Sequence, residues 1–245
     1  SKRGYYSDLR EFIQALDKNG KLARVKRKVV KERDIGSYFW LQFRGLPEKE
    51  WKSFLFENVI DAKGRRHDRV LMGPYSSSRE IVALGMRCKV EEMNEKWSYA
   101  LNHPINPVMV KSGPVHEVIH RGRELEEVGL EGLAFPVEVP GFSGSIRTST
   151  HMVSKDPETG ARNVGSYSGH ISGRKNFAWG TAPHHHGYAH IMKSRQKGKR
   201  AEVAVIIGAT PNIALMSAAS IPYSMDEYAA AGGLAGEPVR LVKCK

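Results

Sequence analysis

Ser220-Ile-Pro-Tyr-Ser-Met-Asp-Glu-Tyr228, continued by Ala229-Ala-Ala-Gly-Gly-Leu-Ala-Gly-Glu-Pro-Val-Arg-Leu-Val-Lys-Cys244, reads as a turn that opens a helix. Asp226 and Glu227 stand where acidic side chains favour a helix N-terminus. The alanines extend the helix to Gly232-Gly233, where we expect it to end, and its first turn would present free backbone N–H groups. Two more stretches upstream carry chemistry: Gly160-Ala-Arg-Asn-Val-Gly-Ser-Tyr167 and Pro183-His-His-His-Gly187. Taken singly, Asn163 is a turn residue and Glu227 a first-turn carboxylate. Taken together, Asn163, His186 and Glu227 offer an amide oxygen, an imidazole and a carboxylate, a borderline-hard set suited to manganese or magnesium beside a phosphate.

The surrounding chain is globular in composition. Its 245 residues are 40% hydrophobic and 26% charged, enough for one large or two ordinary domains. No window of eighteen apolar residues occurs, and Ser1-Lys-Arg-Gly-Tyr-Tyr-Ser-Asp8 lacks the apolar core of a secretory signal. We therefore expect a soluble, cytoplasmic protein with no membrane partner. Cys88 and Cys244 form no disulfide framework. The net charge of +12 invites a nucleic-acid reading, but +9 of it falls within residues 1–112. Its densest part, Lys21 to Arg33, interleaves with Leu22, Val25, Val29 and Val30 rather than with stacking aromatics. A solvated strand edge is favoured over an RNA-contacting stripe.

Asp8 can cap a helix whose apolar positions Leu9, Phe12, Ile13 and Leu16 follow helical spacing to Asn19-Gly20. Strands are expected at Lys21–Val30, Ser53–Val59 and Arg69–Met72, then a helix capped within Ser76-Ser-Ser. Prolines in His103-Pro-Ile-Asn-Pro-Val108 place a boundary near residue 110, dividing residues 1–110 from 111–245. Beyond it, short strands are expected at Val115–His120, Ser149–Val153, Val164–His170 and Val203–Gly208, with one or two helices. Asp156-Pro-Glu-Thr-Gly160 reads as a turn.

In their order and spacing the three stretches resemble the UbiD-like reversible decarboxylases, which use a prenylated flavin mononucleotide, and the likeness runs from Asp8-Leu-Arg to Leu241-Val-Lys-Cys244. It implies an α/β (α+β) N-terminal domain followed by a split β-barrel flavin-binding domain of the flavin-reductase type. Asn163, His186 and Glu227 are then expected to hold Mn2+ or Mg2+ against the phosphate of prenylated FMN, with K+ as a further ion. The resemblance also puts Asn163, Ser166 and Tyr167 along the cofactor and His185 near its phosphate or ribityl chain. Ser217, Ala218, Ala219 and Ser220 would form the loop around the phosphate, where small residues let backbone amides approach the oxygens. Without the likeness that loop is equally a helix-to-strand turn.

Two departures qualify the resemblance. Family members carry an arginine five positions after the metal-binding asparagine, and Ser168 stands there instead. A hydroxyl supplies neither the charge nor the fork of a guanidinium, so no catalytic residue is assigned. Family members also continue past Val-Lys-Cys into a segment with two catalytic glutamates, a phosphate-binding lysine and a C-terminal domain, whereas this sequence stops at Lys245. Decarboxylation needs a carboxyl group to protonate the carbon that CO2 leaves, and Glu237, ahead of Pro238 in a surface turn, cannot replace those glutamates. The resemblance then implies a cofactor-binding half-site with three explanations. It is a subunit that works with a second UbiD-like or C-terminal-half chain on a small-molecule carboxylic acid and CO2, a portion of a longer protein, or a silent subunit supporting an active partner.

Two readings from other classes stand beside it. His186 and His190 are four apart and would share a helix face, a spacing that suits zinc, but no glutamate lies between or beside them as a zinc hydrolase of the metalloprotease pattern requires. A nucleic-acid-binding module would rest on the basic N-terminal stretch and predicts affinity that falls steeply with salt.

Overall fold

The computed structural model describes residues 4–137, 150–167 and 169–244. Asp8 does cap the first helix, α1 (Leu9–Lys18): its carboxylate accepts the Glu11 N–H, and the helix buries Phe12 and Leu16. Strand β1 (Leu22–Val30) leads through helix α2 (Asp34–Gly45) to β2 (Ser53–Ile60). The two strands pair in parallel from Leu22 opposite Ser53 to Val30 opposite Ile60, with a register shift between Val25 and Lys28. Strands β3 (Arg66–His67) and β4 (Val70–Met72) both pair antiparallel with β2. Among the described residues this leaves β1 at the sheet edge with Lys26, Arg27 and Lys28 exposed, as the charge pattern predicts. Helix α3 (Arg79–Met86), capped by Ser78, and helix α4 (Met93–Asn102) close this half.

The second half contains β5 (Val108–Met109), α5 (Gly122–Val128), β6 (Thr150–Lys155), β7 (Arg162–Gly165), β8 (Gly169–Ile171) and β9 (Phe177–Trp179). There follow α6 (His186–Gln196), β10 (Val203–Ile207), α7 (Pro211–Met216), α8 (Glu227–Ala235) and β11 (Arg240–Leu241). Strand β6 lies between β10 and β7 in an antiparallel sheet, while β8 pairs with β9 and β11 runs parallel to β5. Among the described residues these remain three separate sheets, and the fold is mixed α/β.

The sequence expectations are corrected at several points. Val115–His120 is not a strand. Pro114 opens a single 3-10 turn, Pro114–His116, and Val115 and Val118 stay more than 70% exposed. The segment expected as one strand over Val164–His170 contributes to two, β7 and β8, in different sheets; Ser149 and Ser168 lie outside the described residues. Helices are also more numerous than expected, since four fall among the described residues beyond residue 110.

Helix α8 does not end at Gly232-Gly233 either. A side chain at Gly232 would sit 2.4 Å from the Ile105 carbonyl oxygen, and one at Gly233 would sit 2.5 Å from that of Ala100. The glycines therefore serve close packing, and the helix stops at Gly236, whose φ of 74° is left-handed. Around this contact Met86 and Ala100 pack with Met216, Ala230, Ala231 and Leu234, so α3 and α4 share a core with α7 and α8. That core anchors the N-terminus of α8, where Glu227 sits.

Candidate functional site

The site is built where β7, the start of α6 and the start of α8 converge. Asp226 caps α8 by accepting the Tyr228 N–H at 2.8 Å, and its other oxygen receives Arg162 Nη2 at 2.6 Å and Nε at 2.8 Å. Arg162 and Asp226 are the chain neighbours of Asn163 and Glu227, so this ion pair ties β7 to α8 beside the expected ligands. Next to it the Val164 N–H donates to Glu227 Oε2 at 3.0 Å. Asn163 and Glu227 are both buried.

His186 opens α6 and turns its Nδ1 toward Glu227 Oε1 at 3.9 Å, too far for a hydrogen bond. Asn163 Nδ2 donates to the Tyr167 hydroxyl at 3.3 Å, which leaves the amide oxygen as its atom for a cation. The same hydroxyl accepts the Gly187 N–H at 3.2 Å. Tyr167 thereby links the asparagine stretch to the histidine stretch, and its ring lies 5.1 Å from that of His185. Gly187 is required there: a Cβ would come within 2.8 Å of Met152 Cε and 2.9 Å of the Tyr167 hydroxyl.

His186 and Glu227 are spaced as two ligands of one divalent cation would be, and the Asn163 amide oxygen is the candidate third donor. Two ligands that each stand about 2.1 Å from one metal are separated by roughly 3–4 Å, and the His186 to Glu227 spacing of 3.9 Å falls within that range. Burial pushes the Glu227 carboxyl up to about 7, with the backbone N–H groups of Glu227 and Val164 opposing, and a cation beside it would favour the ionised form. Burial also lowers His186, favouring the neutral imidazole that a metal requires. Among the described residues no three His, Cys, Asp or Glu side chains converge as a metal site. The Asn163, His186 and Glu227 set has only two donors of those types and takes its third from an amide. His190 does share the α6 face with His186, but it is buried and its Nδ1 shares a 3.0 Å hydrogen bond with the Ser154 hydroxyl.

The expected phosphate loop follows α7. The N–H groups of Ser217, Ala218 and Ala219 bond back to carbonyls of Ile213, Leu215 and Met216, so among the described residues only the Ser220 N–H of these four makes no such bond. Ala218 and Ser220 are exposed. Ser217 is buried and meets Ser166 twice: the Ser166 N–H donates to the Ser217 carbonyl at 3.0 Å, and the two hydroxyls lie 2.8 Å apart. His185 Nδ1 accepts the Ala182 N–H at 3.0 Å.

Sequence reasoning missed His151. Its Nδ1 lies 2.8 Å from the Ser217 hydroxyl and 3.0 Å from that of Ser166, while Nε2 is buried without a partner among the described residues. Ser217 already donates its proton to the Ala214 carbonyl at 2.7 Å, so the bonds are complete when Nδ1 carries the hydrogen. Burial brings this imidazole down to about 4. Also missed is the charged cluster around Asp156, in the turn that follows β6. Burial pushes the Asp156 carboxyl upward but is outweighed by Lys193 Nζ at 2.6 Å and the Tyr223 hydroxyl at 2.5 Å, which hold it well below the usual range. The turn motif was legible, but its tie to residues 37 and 67 positions away was not.

The family described as UbiD: 3-octaprenyl-4-hydroxybenzoate carboxy-lyase Rift-related domain matches residues 107–245, a span that holds Asn163, His186 and Glu227. The chain belongs to the UbiD family. An uncharacterized protein of Aquifex aeolicus (strain VF5) is 31% identical over 258 residues, covering 98% of this chain and 52% of that protein. A phenolic acid decarboxylase of Streptomyces sp. (strain D7) is 28% identical, covering 95% of this chain and 49% of that protein. Among solved structures, the UbiD-class enzyme HmfF of Pelotomaculum thermopropionicum in complex with FMN superposes with a TM-score of 0.82 at 28% identity, over 97% of this chain and 51% of HmfF. An evolved dimeric form of HmfF, in complex with prFMN, gives 0.84 at 27% identity over 98% and 53%. This UbiD-family chain thus spans about half the length of the relatives it matches. No helix among its described residues is long and apolar enough to cross a membrane.

Proposed function

We propose that this chain forms the cofactor-holding part of a UbiD-type carboxy-lyase. The reaction interconverts an aromatic or α,β-unsaturated acid with its decarboxylated product and CO2. The observation that carries the reading is the approach of His186 to a buried Glu227, itself tied through Val164 to the strand that bears Asn163. The family membership and the names of the phenolic acid decarboxylase and HmfF relatives support it.

Asn163, His186 and Glu227 would hold Mn2+ or Mg2+ through the amide oxygen, the imidazole and the carboxylate. Bound prenylated FMN supplies an electron sink for the pair left behind by departing CO2. The chain's own work is positional. Arg162 and Asp226 hold β7 against α8, Tyr167 fixes the Asn163 amide, and His151 orders the hydroxyls of Ser166 and Ser217 at the end of α7. We read β6, β7 and β10 as part of a split β-barrel that begins after a boundary near residue 110. Ser168 carries no charge, so the guanidinium function at the substrate end comes, on this reading, from a partner chain.

The test is retention of FMN by the purified protein on gel filtration with and without Mn2+. Asn163→Ala, His186→Ala and Glu227→Ala should each abolish Mn2+-dependent retention while the circular dichroism spectrum stays that of the wild type. Undiminished retention in all three sinks the assignment.

A further inference from the structure

The loop between α7 and α8 carries Tyr223, which the reading above leaves without a role. Its ring stands edge-on to His186, with centroids 5.0 Å apart and planes at 80°, and edge-on to His190 at 5.7 Å and 76°. The two histidines are one turn apart on α6, so a single phenol ring braces both. The far end of the ring is anchored. The hydroxyl donates to Asp156 Oδ2 at 2.5 Å, the length of a charge-assisted bond, and Asp156 is fully buried and paired with Lys193 of α6 at 2.6 Å. Lys193 Nζ also lies 5.5 Å from the ring centroid. The phenol, 39% exposed, is therefore held at its hydroxyl by the turn after β6 and contacted by Lys193 of α6, and its ring meets the His186 imidazole at a near right angle.

We propose that Tyr223 is a positioning residue that fixes the rotation of the His186 imidazole, so that its Nδ1 faces Glu227. The inference rests on the metal-site reading of Asn163, His186 and Glu227. The hydroxyl bond to Asp156 sets where the ring stands, and the ring sets how His186 turns. Outer residues that orient a metal-binding histidine commonly contribute tenfold or more to metal affinity. Tyr223 does so through ring packing instead of a hydrogen bond to the imidazole.

The experiment measures Mn2+ binding by electron paramagnetic resonance in the presence of FMN, for the wild type, Glu227→Ala, Tyr223→Leu and Tyr223→Phe. It is paired with imidazole proton shifts of His186 in the metal-free protein. Tyr223→Leu should weaken Mn2+ by about tenfold or more and move the His186 ring protons out of the aromatic ring current. Tyr223→Phe keeps the ring but loses the anchor, so it should restore most of the shift and show a smaller loss of affinity. Wild-type Mn2+ affinity in both Tyr223 variants overturns the inference, as do unchanged His186 shifts. Should Tyr223→Leu fail to fold, Tyr223→Phe with unaltered affinity and unaltered shifts also overturns it. If the wild type takes up no Mn2+, or Glu227→Ala binds it equally well, the metal-site reading itself fails. That result is distinct from a wild type that binds, a Glu227→Ala variant that does not, and Tyr223 variants that bind normally.

Discussion

Replacing His151 should change how the stability of this protein depends on pH, by an amount that its surroundings set. The imidazole is 2% exposed, bonded at Nδ1 to two serine hydroxyls and faced by the ring of Tyr75, whose own hydroxyl burial holds in the neutral form. No carboxylate is among these partners, so burial alone lowers it from 6.5 to about 4. Between these values the unfolded chain binds a proton that the folded chain refuses. Its contribution to stability is fully present above pH 6.5 and is lost as pH falls toward 4. At about 1.4 kcal/mol per pKa unit, the loss is roughly 2 kcal/mol at pH 5, about 3 kcal/mol at pH 4, and approaches a ceiling of about 3.5 kcal/mol below that. His151→Gln keeps a polar side chain of similar reach and cannot titrate. Urea unfolding of both proteins from pH 7.5 to 5 isolates the effect, because every other titrating group is common to the two. The gap between wild type and variant should close, or reverse, by about 2 kcal/mol across that interval. Parallel curves would refute the reasoning and mean that His151 is not held neutral in the fold.

Two further substitutions probe the scaffold of the site. Asp226→Asn preserves a helix-capping side chain but removes the charge that Arg162 meets at 2.6 Å, and it should lower stability by about 1–2 kcal/mol in urea. An equal urea midpoint would show that the pair does not tie β7 to α8. Gly187→Ala drives a methyl group against Met152 and Tyr167, and it should cost about 1–3 kcal/mol, whereas Gly180→Ala, placed in open space, should be close to neutral. Equal unfolding midpoints for the two would contradict the packing described around Tyr167.

Where a local signal existed, the sequence was readable. Asp8 and Ser78 cap helices that their polarity announces, and Leu9 to Leu16 show the period of α1. Helix α8 was located by its acidic start, but eight of its residues are buried, so it has no polar face to mark its end. Helix α2 was missed because Tyr38, Phe39, Trp40, Leu41 and Phe43 crowd it with apolar residues and Arg33 supplies no side-chain cap. Helix α6 was legible only as the shared helix face of His186 and His190, because it buries His190 and Ser194 instead of an apolar stripe.

The same logic applies to the site. Asn163, His186 and Glu227 were legible only because each lies in a motif that resembles a known family. His151 was not, since Thr150, His151 and Met152 are buried on both faces of β6 and alternation conveys nothing there. The tie from Asp156 to Tyr223 depends on a chain reversal that no local window contains.

The most direct test of the central claim is a crystal grown with Mn2+ and FMN and measured at the manganese absorption edge. The account predicts one strong anomalous peak about 2.2 Å from the Asn163 amide oxygen, a His186 imidazole nitrogen and a Glu227 carboxylate oxygen, with the FMN phosphate against it. A peak on His184 or His190 instead, or bound FMN with no metal at Asn163, His186 and Glu227, would contradict it.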